Sequence, residues 1–108
     1  MSIMVEQINQ NNFDEKISDG YSVVDYHANW CNPCRMVAPV IEELADEMRD
    51  IKFFKVDVEE NMALSDRFGI TSIPAIYLYK DGKLVDKIIG ALPKVNFKRW
   101  LSENVQTA

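Results

Sequence analysis

Between Tyr21 and Val58 the hydrophobic period changes from strand to helix and back, and this constrains the fold more than any other feature. Tyr21 to His27 reads YSVVDYH, rich in β-formers and bounded by Gly20 and the polar Asn29, which predicts a buried strand. From Cys34 the apolar residues Val37, Val40, Ile41, Leu44 and Met48 recur at three and four, predicting one buried face of a helix that runs to about Arg49. Ile51 to Val58, IKFFKVDV, returns to strand. A strand, a helix and a strand at this spacing form a right-handed parallel crossover. Pro39 falls inside the helix and predicts a kink there.

The flanking segments fit around this unit. Val5 to Ile8 is a candidate first strand, and Asn11 and Asn12 are placed to cap a helix through Ile17 that Gly20 ends. Met62 to Phe68 predicts a short helix closed by Gly69. Ile73 to Tyr79 and Lys83 to Ile89 read as strands joined through Lys80, Asp81 and Gly82, a strong hairpin signal. A last helix, roughly Pro93 to Asn104, carries Val95, Phe97, Trp100 and Leu101 as its apolar stripe. With 108 residues and no repeat or linker, the expectation is a single domain over residues 1–108, of α/β class, an α/β half followed by a hairpin and a helix.

Charge and cysteine usage narrow the function. Twelve Lys and Arg against 17 Asp and Glu give a net charge of -5, which offers no electrostatic footprint for nucleic acid or anionic lipid. The start, MSIMVEQINQNNF, has no basic segment followed by an apolar run, and no stretch reaches the length of a bilayer span, so a cytoplasmic protein is expected. The 2 cysteines stand three positions apart, which is no disulfide framework. In a reducing compartment such a pair is reactive or metal-binding.

The segment Trp30-Cys31-Asn32-Pro33-Cys34 puts both thiols where a strand hands over to a helix. At the helix start, unpaired backbone N–H groups and the positive end of the dipole favour a Cys31 thiolate, the attacking species in thiol-disulfide exchange. Cys34, one turn on, is near enough to close a disulfide. Pro33 pre-forms the first turn, and Arg35 adds positive charge. A structural zinc half-site is the alternative. Zinc wants four ligands, however, and the only histidine is His27, leaving an intermolecular site open.

Trp30 to Cys34 resembles the Trp-Cys-Gly-Pro-Cys signature of the thioredoxin family, and the likeness extends over nearly the whole chain. Asp25, six residues before Cys31, is similar to the family's buried acid, and Lys55 to its lysine neighbour. Ile73-Pro74 resembles its cis-proline dipeptide, and Gly90-Ala91 its glycine-containing surface loop. The resemblance implies a thioredoxin fold, a mixed five-stranded β-sheet flanked by four helices. Its implied activity is protein-disulfide reduction through Cys31 and Cys34, with Asp25 and Lys55 in catalysis and Trp30, Asn32, Pro33, Ile73, Pro74, Gly90 and Ala91 at the substrate surface. It also implies no bound cofactor and no metal, electrons arriving from NADPH through a flavin-dependent thioredoxin reductase. The implied partners are disulfide-containing proteins and that reductase, and the implied state is a monomer.

Asn32 stands where the family usually has glycine, His27 where a tryptophan usually packs, and Ala75 where threonine is common, so a specialised member is expected. Asp25 has two readings: an acid paired with Lys55 for stability, or a proton acceptor for Cys34. Trp30 is a core residue or part of a substrate surface. His27 is expected as a packed or partly exposed filler rather than a base, and Trp100 and the methionines as packing residues. A binding module on the same scaffold, a metal-binding protein and an oxidase or isomerase are the competing functions. The pairing of both cysteines with Asp25 and Pro74 weighs against the first. Pro33 directly before Cys34 favours a reductant.

Overall fold

The computed structural model describes residues 4–105, and in them five strands and four helices. In chain order these are β1 (Val5–Gln7), α1 (Phe13–Lys16), β2 (Tyr21–His27), α2 (Asn32–Glu47), β3 (Lys52–Asp57), α3 (Met62–Arg67), β4 (Ala75–Lys80), β5 (Lys83–Ile89) and α4 (Lys94–Asn104). The strands lie in the order β1-β3-β2-β4-β5, with β1 and β2 parallel to β3 and β4 antiparallel to β2 and β5. The mixed five-stranded sheet flanked by four helices is the one expected, and β2-α2-β3 is its parallel crossover.

Alternation along the strands builds two cores, one on each face. Val24, Tyr26, Phe54, Val56, Tyr77 and Tyr79 point to one face and pack with Phe13 of α1 and Leu64 of α3. Val23, Phe53, Ile76 and Leu78 point to the other, under Val37, Ile41 and Leu44 of α2 and Phe97 and Leu101 of α4. On this second face β2 continues from Val23 to Asp25 and His27, while β3 continues from Phe53 to Lys55 and Asp57. The register sets Asp25 beside Lys55 and His27 beside Asp57. Its polarity changes at the carboxyl ends of the strands, where α2 begins.

Element ends depart from the sequence reading in instructive ways. β1 stops at Gln7, although Ile8 still donates its N–H to the Lys55 carbonyl. α1 is a single turn, and neither asparagine caps it with its side chain: Asn12 Oδ1 accepts the Asn9 N–H at 2.9 Å, closing the preceding turn instead. α2 starts at Asn32 with Cys31 as its N-cap, as the placement of Cys31 at the helix start and Pro33 in the first turn implied, and it ends at Glu47, two residues short of Arg49. Pro39 lies inside it without ending it. β4 starts at Ala75 rather than Ile73: its pairing with β2 begins at Ala75, opposite Tyr26, and the Ile73-Pro74 peptide before it is cis. The hairpin turns through Asp81 and Gly82, both at positive φ, as the two-residue connection requires.

The apolar stripe of α4 is narrower than expected. Phe97 and Leu101 are buried and Trp100 packs against the same core, but Val95 is 60% exposed. Two residues on a helix are turned about 200° apart, so Val95 and Phe97 cannot share a face. The methionines divide likewise: Met4 and Met48 pack on the second core, whereas Met36 and Met62 are exposed and not packing residues. Met1 lies outside the described residues.

Candidate active site

The site grows from the junction of β2 and α2. Ala28 leaves the strand, and its carbonyl accepts the Cys31 N–H, folding Asn29 and Trp30 into a turn. Cys31 keeps an extended backbone at the N-cap of α2, and its Sγ accepts the Cys34 N–H at 3.2 Å. A sulfur thus does what a serine or aspartate oxygen does at an ordinary helix start, taking one of the unpaired N–H groups. Pro33 occupies the first turn, where no donor is needed. Cys31 and Cys34 are joined as a disulfide, their Cα atoms 5.2 Å apart.

Several expected residues converge on this pair. Ile73, part-buried, packs with Val58 against the small cluster of Ala28, Cys31 and Cys34. Among the described residues no hydrogen bond uses its backbone N–H or carbonyl. Pro74 is buried behind it, and its carbonyl accepts the Gly90 N–H at 2.8 Å, tying the Gly90 loop to the cis-proline turn. Gly90 has a φ of 106°, which a side chain would strain. Asn32, Pro33 and Ala91 are exposed. Trp30 is 65% exposed, so it is not a core residue.

Beneath Cys34 lies a cavity of about 260 Å³ lined by Asp25, His27, Ala28, Asn29, Cys34, Arg35, Ala38 and Lys55. Asp25 is 4% exposed and its Oδ1 has no hydrogen-bond partner. Burial pushes its carboxyl up to about 7, against the opposing pull of the Lys55 ammonium. A buried carboxyl that ionises near neutrality, on the wall behind a thiol, is chemically matched to receiving a thiol proton. Burial also holds the His27 imidazole below its ordinary value, with Asp57 acting in the opposite sense and Lys55 in the same one. Among the described residues no group of three or more His, Cys, Asp and Glu is placed to hold a metal ion.

Two features of the site were not anticipated. The Arg35 guanidinium donates to the Asn29 carbonyl through Nη2 at 2.7 Å and Nε at 3.1 Å, so it clamps the turn before Cys31 as well as contributing charge. The shared row of Asp25, His27, Lys55 and Asp57 is the other. Its signal was present in the sequence, since residues two apart in a strand share a face and both strands were placed correctly.

A family model described as Thioredoxin matches residues 4–103. The chain is 42% identical over 104 residues to a thioredoxin of Staphylococcus haemolyticus, covering 94% of this chain and 98% of that one. A thioredoxin of Listeria monocytogenes is 45% identical over 103 residues, covering 94% of this chain and 100% of its own length. Among solved structures, a mutant thioredoxin from Halobacterium salinarum superposes with a TM-score of 0.86 at 29% identity, covering 96% of this chain and 93% of that one.

Proposed function

The chain belongs to the thioredoxin family, and from that premise we propose how its residues divide the work of a protein-disulfide reductase. Cys31 and Cys34 are its redox-active pair, and the chemistry is dithiol-disulfide exchange. In the reduced protein the Cys31 thiolate, favoured by the start of α2, attacks one sulfur of a partner disulfide and forms a mixed disulfide. The first partner sulfur leaves as a thiolate and takes a proton from solvent. Cys34 then gives its proton to Asp25 and attacks Cys31 Sγ, which breaks the mixed disulfide and expels the second partner thiolate, and that thiolate takes a proton from solvent. The partner leaves with two thiols, and the enzyme keeps the Cys31-Cys34 disulfide.

The observation that carries this division is the asymmetry of the pair: Cys31 at the N-cap, Cys34 one turn inside and backed by the cavity that Asp25 lines. Lys55 tunes Asp25 from the neighbouring strand. The exposed Trp30, with Asn32 and Pro33, forms the surface that meets the partner. Ile73, Pro74, Gly90 and Ala91 form its opposite bank, where the unpaired Ile73 backbone groups support binding of an extended segment as an added strand.

A flavin-dependent thioredoxin reductase drawing on NADPH returns the electrons, disulfide-containing proteins are the substrates, and the chain works as a monomer in a reducing, cytoplasmic compartment. Among the described residues no helix is long and apolar enough to cross a membrane. The decisive experiment is reduction of a disulfide-bonded test protein by NADPH and a thioredoxin reductase, with and without this chain. Reduction that depends on the chain is expected. Reduction at the same rate without it overturns the assignment.

A further inference from the structure

We propose that His27 is a positioning residue of the reduction cycle, carrying protons between the buried Asp25 carboxyl and solvent across the cavity that both side chains line. The proposal rests on the reading of Asp25 as the acceptor of the Cys34 proton. That reading leaves a problem of traffic. Asp25 is buried, its neighbours across the sheet are Lys55 and Ile76, and apolar Val23 precedes it on the same face. A proton placed on Asp25 has to leave before the carboxylate can act again, and the cavity of about 260 Å³ is the space through which it can go. That space has room for a short chain of waters, and its walls are polar enough to hold them.

Two orphaned atoms mark the ends of the path. Among the described residues, the buried side-chain oxygens and nitrogens without a partner are Ser22 Oγ, Asp25 Oδ1 and His27 Nε2, and the last two belong to residues lining this cavity. Their residues stand two apart on β2 and therefore share its face. His27 is part-buried as a residue although its Nε2 is buried, so part of it lies at the surface beside the cavity it lines. A neutral imidazole accepts a proton at one nitrogen and releases one from the other.

The other charged groups around the cavity cannot take this part. From β3, Lys55 is a cation, and Asp57 does not line the cavity, its Oδ1 accepting the Glu59 and Glu60 N–H groups at 2.9 and 3.3 Å. From α2, Arg35 is a cation held on the Asn29 carbonyl, and Cys34 is the source of the proton. His27 is left as the carrier. Each turnover then balances. Cys34 gives one proton to ionised Asp25 as its sulfur bonds to Cys31, neutral Asp25 passes the proton through water to His27, and His27 releases it to solvent as the departing partner thiolate takes one up.

The test follows decay of the mixed disulfide between Cys31 and the aromatic thiol of Ellman's reagent, in single turnover from pH 5.5 to 8.5. Wild type is compared with His27→Ala, His27→Gln, Asp25→Asn and the double variant Asp25→Asn/His27→Ala. Loss of a relay predicts decay slowed about tenfold in both His27 variants below pH 7, where Asp25 is mostly protonated, and little change at pH 8.5. Free imidazole added to His27→Ala restores the rate, which a packing defect would not allow. In the Asp25→Asn background His27→Ala adds nothing further. Decay that is unchanged in His27→Gln, slowed equally at all pH, or not restored by imidazole overturns the relay while leaving Asp25 as the base if Asp25→Asn is slow. Unchanged decay in Asp25→Asn overturns the Asp25 reading itself and the relay with it.

Discussion

Replacing Asp25 by asparagine should make the oxidised protein more stable at alkaline pH and leave it nearly unchanged in acid. The folded chain holds the Asp25 proton up to about pH 7, whereas the ordinary value is 3.8, so the folded state binds the proton more tightly than the unfolded one. Stability is therefore greatest below the unfolded value, falls as pH rises through the window from 3.8 to about 7, and is level above it. At about 1.4 kcal/mol per tenfold difference in proton affinity, the ionised carboxylate costs the fold on the order of 4 kcal/mol. Water entering the cavity and the unmet hydrogen bonds of a buried amide both reduce the gain on removing it, to about 2–4 kcal/mol. His27, held below its ordinary value, works in the opposite direction, since stability it contributes is lost as pH falls; it is present in both proteins and cancels in their difference. The assay is urea unfolding at pH 4 and pH 8.5. With a urea slope of about 1–3 kcal/mol per molar, the midpoint of Asp25→Asn should rise by on the order of 1–2 M at pH 8.5 relative to wild type, with little difference at pH 4. A difference between the two proteins that does not vary with pH would refute the burial of an ionisable Asp25.

Cys31→Ser should abolish both reduction and covalent capture of partners, whereas Cys34→Ser should accumulate mixed disulfides visible by mass spectrometry; equal loss of capture in both would reverse the assignment of roles. Lys55→Met removes the cation that opposes burial, so Asp25 should ionise above about 7, read by carbon NMR of the labelled carboxyl, with the acid limb of mixed-disulfide decay moving to higher pH in step. Trp30→Ala, at a 65% exposed position, should leave stability within about 0.5 kcal/mol and raise KM for a protein disulfide, with Ellman's reagent reduced at the normal rate. Leu44→Ala, at a fully buried position on the core-facing side of α2, should cost about 2–5 kcal/mol in unfolding free energy while the dithiol titration stays normal.

What the sequence determined by itself was periodic or chemically singular. The β-former runs of Tyr21–His27 and Ile51–Val58 and the three-and-four spacing of Val37, Ile41 and Leu44 identify β2, β3 and α2, because each run has the length and residue types its buried element needs. The spacing of Cys31 and Cys34 limited them to redox or metal chemistry, the residues that match the family around them pointed to redox, and Asp81-Gly82 marked its turn by backbone preference. Asp25 was noticeable as an acid in an apolar strand, but its ionisation near 7 depends on α2 closing over it, which no local pattern records. Boundaries followed side-chain competition that composition does not reveal: Asn12 turned its oxygen to Asn9 instead of capping α1, and Cys31 capped α2 with sulfur. Val95 was as apolar on paper as any core residue, and only its place on α4, about 200° around the axis from Phe97, left it in solvent. The cavity needed the tertiary structure most, because it is a space bounded by β2, β3 and the first turns of α2, and a space between elements exists only once they have been docked.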